Sequence, residues 1–240
     1  KRLFRPLERV VNVSQLPWGD YAYRARHSEI ATVVFNEALQ DPTDRFNEYV
    51  RVVRALNPMY SIDSSALKDM VRAKAVHDLF PNYEDGRAVF DVVAEVLPDN
   101  PHVLQQRANY ERIRPDGNLR MAESLLQEAR ELAPSDPTIT HTLAEVLRKK
   151  AETAERPLER SRYRGEAAAV LRGIDSGSST DKYAVVTRLK LATDEVRDLL
   201  SQDQVPDRQL DEAIREAEKS FNRARQRYPG EQFVLSAEAD

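Results

Sequence analysis

No cysteine occurs in the sequence, so disulfide frameworks, thiolate zinc sites and thiol catalysis are excluded together. Glycine is scarce as well. There are 7 glycines in 240 residues, well under the roughly 7% of average proteins, which argues against an all-β fold made of tight turns. No apolar run reaches the ~18 residues of a membrane span, so no membrane partner is expected. Neither sign of charge dominates: 36 basic and 40 acidic side chains leave a net −4, which gives no general attraction to phosphate backbones.

The signatures of common active sites are missing too. There is no P-loop and no GxGxxG fingerprint, and the Gly177–Thr180 stretch lacks the lysine a phosphate loop needs, so it reads as a linker. His27, His77, His102 and His141 never fall at metal-ligand spacing. No GxSxG nucleophile turn occurs. Acidic pairs such as Glu84–Asp85 and Asp211–Glu212 stand at expected helix starts, where they complement the helix dipole. The chain is therefore expected to be non-enzymatic, with no cofactor and no metal.

What is present is helical periodicity. At 41% hydrophobic and 32% charged residues, the chain can bury a core of its own and divide into one or two domains. Lys1 is not an initiator methionine, and the sequence reads as a piece of a longer protein. Leu3, Leu7, Val10 and Val11 have helical spacing, while Tyr21 and Tyr23 alternate as in a short strand or hairpin arm. Ser28 is a candidate N-cap for a helix through Leu39. From Thr43 on the 3.6 period takes over. Phe46, Tyr49, Val50, Val53 and Leu56 form one stripe, and Asp63 or Ser64 is expected to cap a second through Leu67, Val71 and Ala75.

A repeat emerges from the spacing. A small residue, an apolar residue at +4, another at +3 and a proline at +5 occur three times. The sets are Gly86, Phe90, Val93 and Pro98; Ala122, Leu126, Ala129 and Pro134; and Ala217, Phe221, Ala224 and Pro229. The segments Pro98–Pro101 and Pro134–Pro137 lie 36 residues apart, and each sets a proline in the first turn of the next helix. Small residues on facing helices let the axes approach, and the bulky residue a turn away fills the gap against the next pair. This pattern resembles the tetratricopeptide repeat (TPR), a helix–turn–helix unit of about 34 residues. Residues 103–134 match it best, with Ala108, Ala122, Leu126, Ala129 and Pro134, although the Trp, Gly and Tyr of the family's first helix are absent. Between Ala144 and the next set (Ala167, Leu171, Ile174) the stretch 149–165 is longer than the family pattern, and either extends both helices or forms a basic loop.

The resemblance implies a fold and a face. The fold is all-α, a TPR-like α-solenoid of antiparallel helix hairpins over 43–240 that continues past the chain end, with a small winged-helix-like segment at 1–42. The face, lined by the first helices of successive repeats, carries His102, Gln105, Asn109 and Arg112, then Thr138, His141, Glu145 and Arg148. It would bind a peptide or protein partner through carboxylates. Asn109 stands where carboxylate-clamp members carry Asn, but Gln105 stands where they carry Lys, so the clamp is incomplete. Residues 23–35, with Tyr23, Arg26, His27, Ile30 and Ala31, resemble the stretch closing the winged helix of some STAND-type signalling ATPases. That resemblance implies the sensor region of a cytoplasmic switch protein. Homo-oligomers through the repeat ends are compatible with it.

The alternative is nucleic-acid binding. Arg156, Arg160, Arg162 and Arg164 surround Tyr163, and Arg223, Arg225 and Arg227 precede Tyr228; single-stranded nucleic-acid sites combine such residues. Glu155, Glu159 and Glu166 interrupt the first cluster, and Glu216 and Glu218 precede the second, as on solvated salt-bridged faces. Protein–protein recognition is thus the expected function, as scaffold or sensor, with nucleic acid the lesser expectation.

Overall fold

The structure, a computed structural model, describes residues 11–15, 21–25, 33, 35–174, 181–202 and 205–230. The described residues are overwhelmingly helical. One antiparallel hairpin precedes the helices, with β1 (Val11–Gln15) pairing β2 (Tyr21–Ala25) in a register that sets the backbone of Val13 opposite that of Tyr23. Val11 is therefore in a strand, against the helical spacing expected there, whereas the Tyr21–Tyr23 strand is observed. Residues 33 and 35–38 are helical; Ser28 and the winged-helix reading around it lie outside the described residues.

The chain divides into two compact units, Lys1–Val96 and Leu97–Asp240, a boundary inside the stretch expected to form one array. The first unit holds α1 (Pro42–Ala55), α2 (Ser61–Met70), α3 (Ala73–Leu79) and α4 (Tyr83–Val96). Asp41 caps α1 by accepting from the amides of Thr43 and Asp44. Tyr60, not Asp63 or Ser64, occupies the N-cap of α2, because Asp63 turns back to accept from the Asn57 amide at 2.9 Å. The stripe expected to run unbroken past Val71 is interrupted at 71–72, and Val71 and Ala73 are both buried at that bend. Phe80 anchors this core edge-on to Phe46 and Tyr49, and the Tyr49 hydroxyl donates to the Met70 carbonyl at 2.6 Å.

The second unit holds α5 (Pro101–Ile113), α6 (Leu119–Leu132), α7 (Pro137–Thr153), α8 (Pro157–Arg172), α9 (Asp181–Leu200) and α10 (Asp207–Arg227). Asn100, Asn118 and Asp136 cap α5, α6 and α7, and Pro101 and Pro137 take the first helical position as their spacing predicts. The long 149–165 stretch extends both α7 and α8, with only Ala154–Arg156 between them. Each helix packs on the next, and α5 also touches α7, as α7 touches α9.

Side-chain pairs give the directions. Lys150 near the end of α7 meets Glu123 near the start of α6, and Arg160 and Arg164 of α8 meet Asp198 near the end of α9, so sequential helices run antiparallel. Gln105 with Thr142 and Arg112 with Glu145 rise together, so α5 and α7 run parallel. The core is the small-residue seam: Ala108, Ala122, Leu126, Ala129, Ala144, Ala167 and Leu171 lie fully buried in one cluster. Alanines at the crossings permit close helix approach, and Leu126 and Leu171 fill the space beside them.

Candidate functional site

Five of the eight residues assigned to the recognition face, Asn109, Arg112, His141, Glu145 and Arg148, meet in one polar network across α5, α7 and α9, and Gln105 and Thr138 are joined separately through Thr142. Gln105, buried, donates from Nε2 to Thr142 Oγ1 at 2.8 Å, and Thr142 in turn donates to the Thr138 carbonyl of the preceding turn. Asn109 Oδ1 accepts from Arg112 Nε and Nη2 at 3.0 and 2.8 Å. Arg112 Nη1 and Arg148 Nε both lie 3.7 Å from the same oxygen of Glu145. Arg148 is also paired with Glu152 and, at 3.0 Å, with Asp194 of α9. His102 sits one turn before Gln105, half-buried.

The hub is Glu145, only 8% exposed. Its other oxygen accepts from the Thr187 hydroxyl at 2.7 Å, and Thr187 Oγ1 lies 3.1 Å from His141 Nε2. A hydroxyl has one proton, and Thr187 spends it on Glu145. His141 then donates to Thr187 from Nε2, and a hydrogen bond to the Tyr183 backbone engages the ring as well. Three consecutive odd-numbered helices are thus tied by one carboxylate.

Electrostatics follow from this burial. Burial alone would raise the Glu145 carboxyl, but the Thr187 hydroxyl and the cations Arg148, Lys190 and Arg112 outweigh it and hold its pKa below the usual range. Burial lowers the His141 imidazolium, and Arg112 and Lys190 add to that, with Glu145 and a hydrogen bond to the Tyr183 backbone opposing. Burial also lowers Arg112, whereas Glu145, Glu152 and Asp194 overcome burial and raise Arg148. Most of these groups hold one another. Thr187, Lys190 and Asp194 were not in the sequence reading.

Beside Arg112, where α5 and α7 end, a cleft of about 770 Å³ opens. Arg112, Arg114, Arg120, Lys149 and Lys150 line it together with Tyr163, against the two carboxylates Asp116 and Glu159. Arg114 is paired with Asp116, and Lys150 stacks 4.3 Å from the Tyr163 ring while reaching Glu123. The wall of this cleft is set by a close approach: a Cβ on Gly117 would meet the Glu111 carbonyl oxygen at 1.8 Å. The adjacent Asn118 amide donates to the buried Glu111 carboxylate at 2.8 Å, which holds the turn in place.

The arginine cluster expected as a nucleic-acid patch is divided. Arg160 and Arg164 both reach Asp198, at 2.7 and 2.8 Å, and are largely covered. Arg162 stays exposed near Glu166 and over the Tyr163 ring, and Arg156 is exposed at the start of α8. Tyr163 is half-buried, with Lys150 and Arg162 both against its ring. Among the described residues there is no group of three or more acidic or histidine side chains that could hold a metal, and no helix is long and apolar enough to cross a membrane. Comparison with protein-family models finds no match, and neither the curated proteins nor the solved structures give a significant one.

Proposed function

We propose that this chain is a TPR-like α-solenoid module that recognises a protein or peptide partner without catalysis. The observation that carries the reading is the packing rule of α5–α10: sequential helices antiparallel, odd helices parallel and in contact, alanines buried at every crossing. In such an array the odd helices share one face, and a partner laid across them touches several repeats at once. Asn109, Arg112 and Arg148 would contact the partner, already oriented by Glu145 and therefore binding with little loss of side-chain freedom. The cleft beside Arg112, with five cations to two carboxylates, favours a carboxylate-bearing segment. His102, Gln105, His141 and Glu145 would then support these contacts from below. The setting that the sequence resemblance suggests is a scaffold or sensor region of a larger cytoplasmic protein, of the STAND type.

Nucleic-acid binding is the weaker reading, since Asp198 takes up two of the four guanidinium groups it needs. The test pairs two assays on the same chain: selection from a displayed random-peptide library, and anisotropy of a labelled single-stranded oligonucleotide over a salt series. The reading expects convergent carboxylate-containing peptides and only weak oligonucleotide binding. No convergent peptides, together with tight oligonucleotide binding that weakens steeply with salt, would overturn it.

A further inference from the structure

We propose that a second cleft, between α8 and α10, binds an acidic peptide segment that inserts one bulky apolar side chain. It lies on a different part of the second unit from the Glu145 network, about a quarter-turn round α9 from Thr187. Helices α8 and α10 both pack on α9 and leave between them a cavity of about 540 Å³. That volume is within the roughly 300–1,000 Å³ of ligand sites.

The lining has two parts. Its depth is apolar, with the buried Ile174 and Leu191 and the flanking Ala168 and Ala192. Its rim carries Arg164, Arg172, Arg188 and Arg223 against Glu195 and Glu216. Asp198 already pairs Arg164. Arg188 donates to the Leu171 carbonyl, which fixes its guanidinium at the mouth. Arg172 and Arg223 form no ion pair among the described residues, and they stand on the two opposite walls. A carboxylate on each side of a buried apolar side chain fits that arrangement.

Gly165 supplies the independent observation. It sits in the middle of α8, where glycine costs about 1 kcal/mol relative to alanine. Elsewhere in this unit a glycine is demanded by a close contact, as at Gly117, but a Cβ on Gly165 would meet nothing within 4 Å. Nothing in the fold requires it, and it opens onto this cleft. A side-chain-free patch of helix is what the close approach of a ligand backbone requires.

The experiment is a nitrogen–proton correlation spectrum of the chain titrated with a pool of short synthetic peptides, each with a central phenylalanine or leucine flanked by glutamates. A pool with lysines in place of glutamates is the counterpart. The proposal expects the acidic pool to shift the Gly165, Ala192 and Ser220 amides and the lysine pool to leave them in place. Gly165→Leu starts from a Cβ that meets nothing within 4 Å, puts its side chain into the cleft and should weaken binding at least about tenfold, with the urea midpoint preserved or raised. Arg172→Glu with Arg223→Glu, both on exposed positions, should do the same by charge. An acidic pool that leaves these amides unmoved overturns the proposal, as does a Gly165→Leu chain that binds as tightly as the parent. Shifts confined to Asn109 and Arg112 would overturn it while supporting recognition on the odd-helix face.

Discussion

The hydroxyl of Thr187 donates to the Glu145 carboxylate at 2.7 Å and joins two helices across 42 residues of chain. Because Arg112 and Arg148 lean on the same carboxylate, its removal takes one ion-pair partner from each of two largely covered cations, leaving Arg112 to Asn109 and Arg148 to Glu152 and Asp194. Glu145→Ala is expected to cost about 3 kcal/mol, the usual penalty for breaking a buried pair from one side. Glu145→Gln, which still accepts from Thr187, should cost less. Urea unfolding of the two variants checks the order, and equal midpoints for parent and Glu145→Ala would remove the hub role.

Acid should weaken the same network in two steps. The folded protein holds His141 below its ordinary pKa of about 6.5. Below that pH the unfolded chain binds a proton that the folded chain resists, so stability falls as pH drops. Glu145, also held low, contributes stability above the ordinary carboxylate range that is lost as pH falls through its folded value. Urea midpoints measured from about pH 8 to 4 should be level above about pH 7 and decline below it. His141→Gln should delete the first decline and leave the second.

Two glycines should respond in opposite directions. Gly117→Ala drives a Cβ into the Glu111 backbone carbonyl and is expected to destabilise by more than about 1 kcal/mol. Gly165→Ala meets open space within a helix and should stabilise by up to about 1 kcal/mol. Chemical denaturation of the pair tests both signs in one experiment.

The seam alanines set helix spacing. Ala122, fully buried between α5 and α6, has no room for three further carbons, and Ala122→Leu should cost about 1–3 kcal/mol by overpacking. Leu126→Ala opens a cavity instead and should cost about 2–5 kcal/mol. Loss from both the larger and the smaller side chain marks a jigsaw seam; tolerance of Ala122→Leu would mean that the helices are free to separate.

Much of this architecture was legible in the sequence because it rests on short-range chemistry. The prolines and their Asn100 and Asp136 caps mark helix starts within one turn, and the alanine spacing marks the crossings. The part of the site on α9 was not legible. Contacts between α5 and α7 span 33 to 37 residues, close to the repeat spacing, so Gln105 and Asn109 could be aligned with His141 and Glu145. Contacts between α7 and α9 span 42 to 46, because the 149–165 stretch lengthens both α7 and α8. That shift hid Thr187 and Asp194. Pairing was hidden as well, since side chains that read as donors for a partner can satisfy one another once three helices converge. The break between α2 and α3 escaped for a related reason: Val71 keeps the apolar stripe unbroken across a bend in the backbone.

The most direct test of the recognition reading is where a library-selected peptide shifts the nitrogen–proton spectrum of the chain. The account predicts saturable shifts of the Asn109 side-chain amide and the Arg112 and Arg148 Nε–H signals, with those of Arg156 and Arg162 unmoved. Shifts that bypass Asn109, Arg112 and Arg148 and gather along residues 156–164 would contradict it.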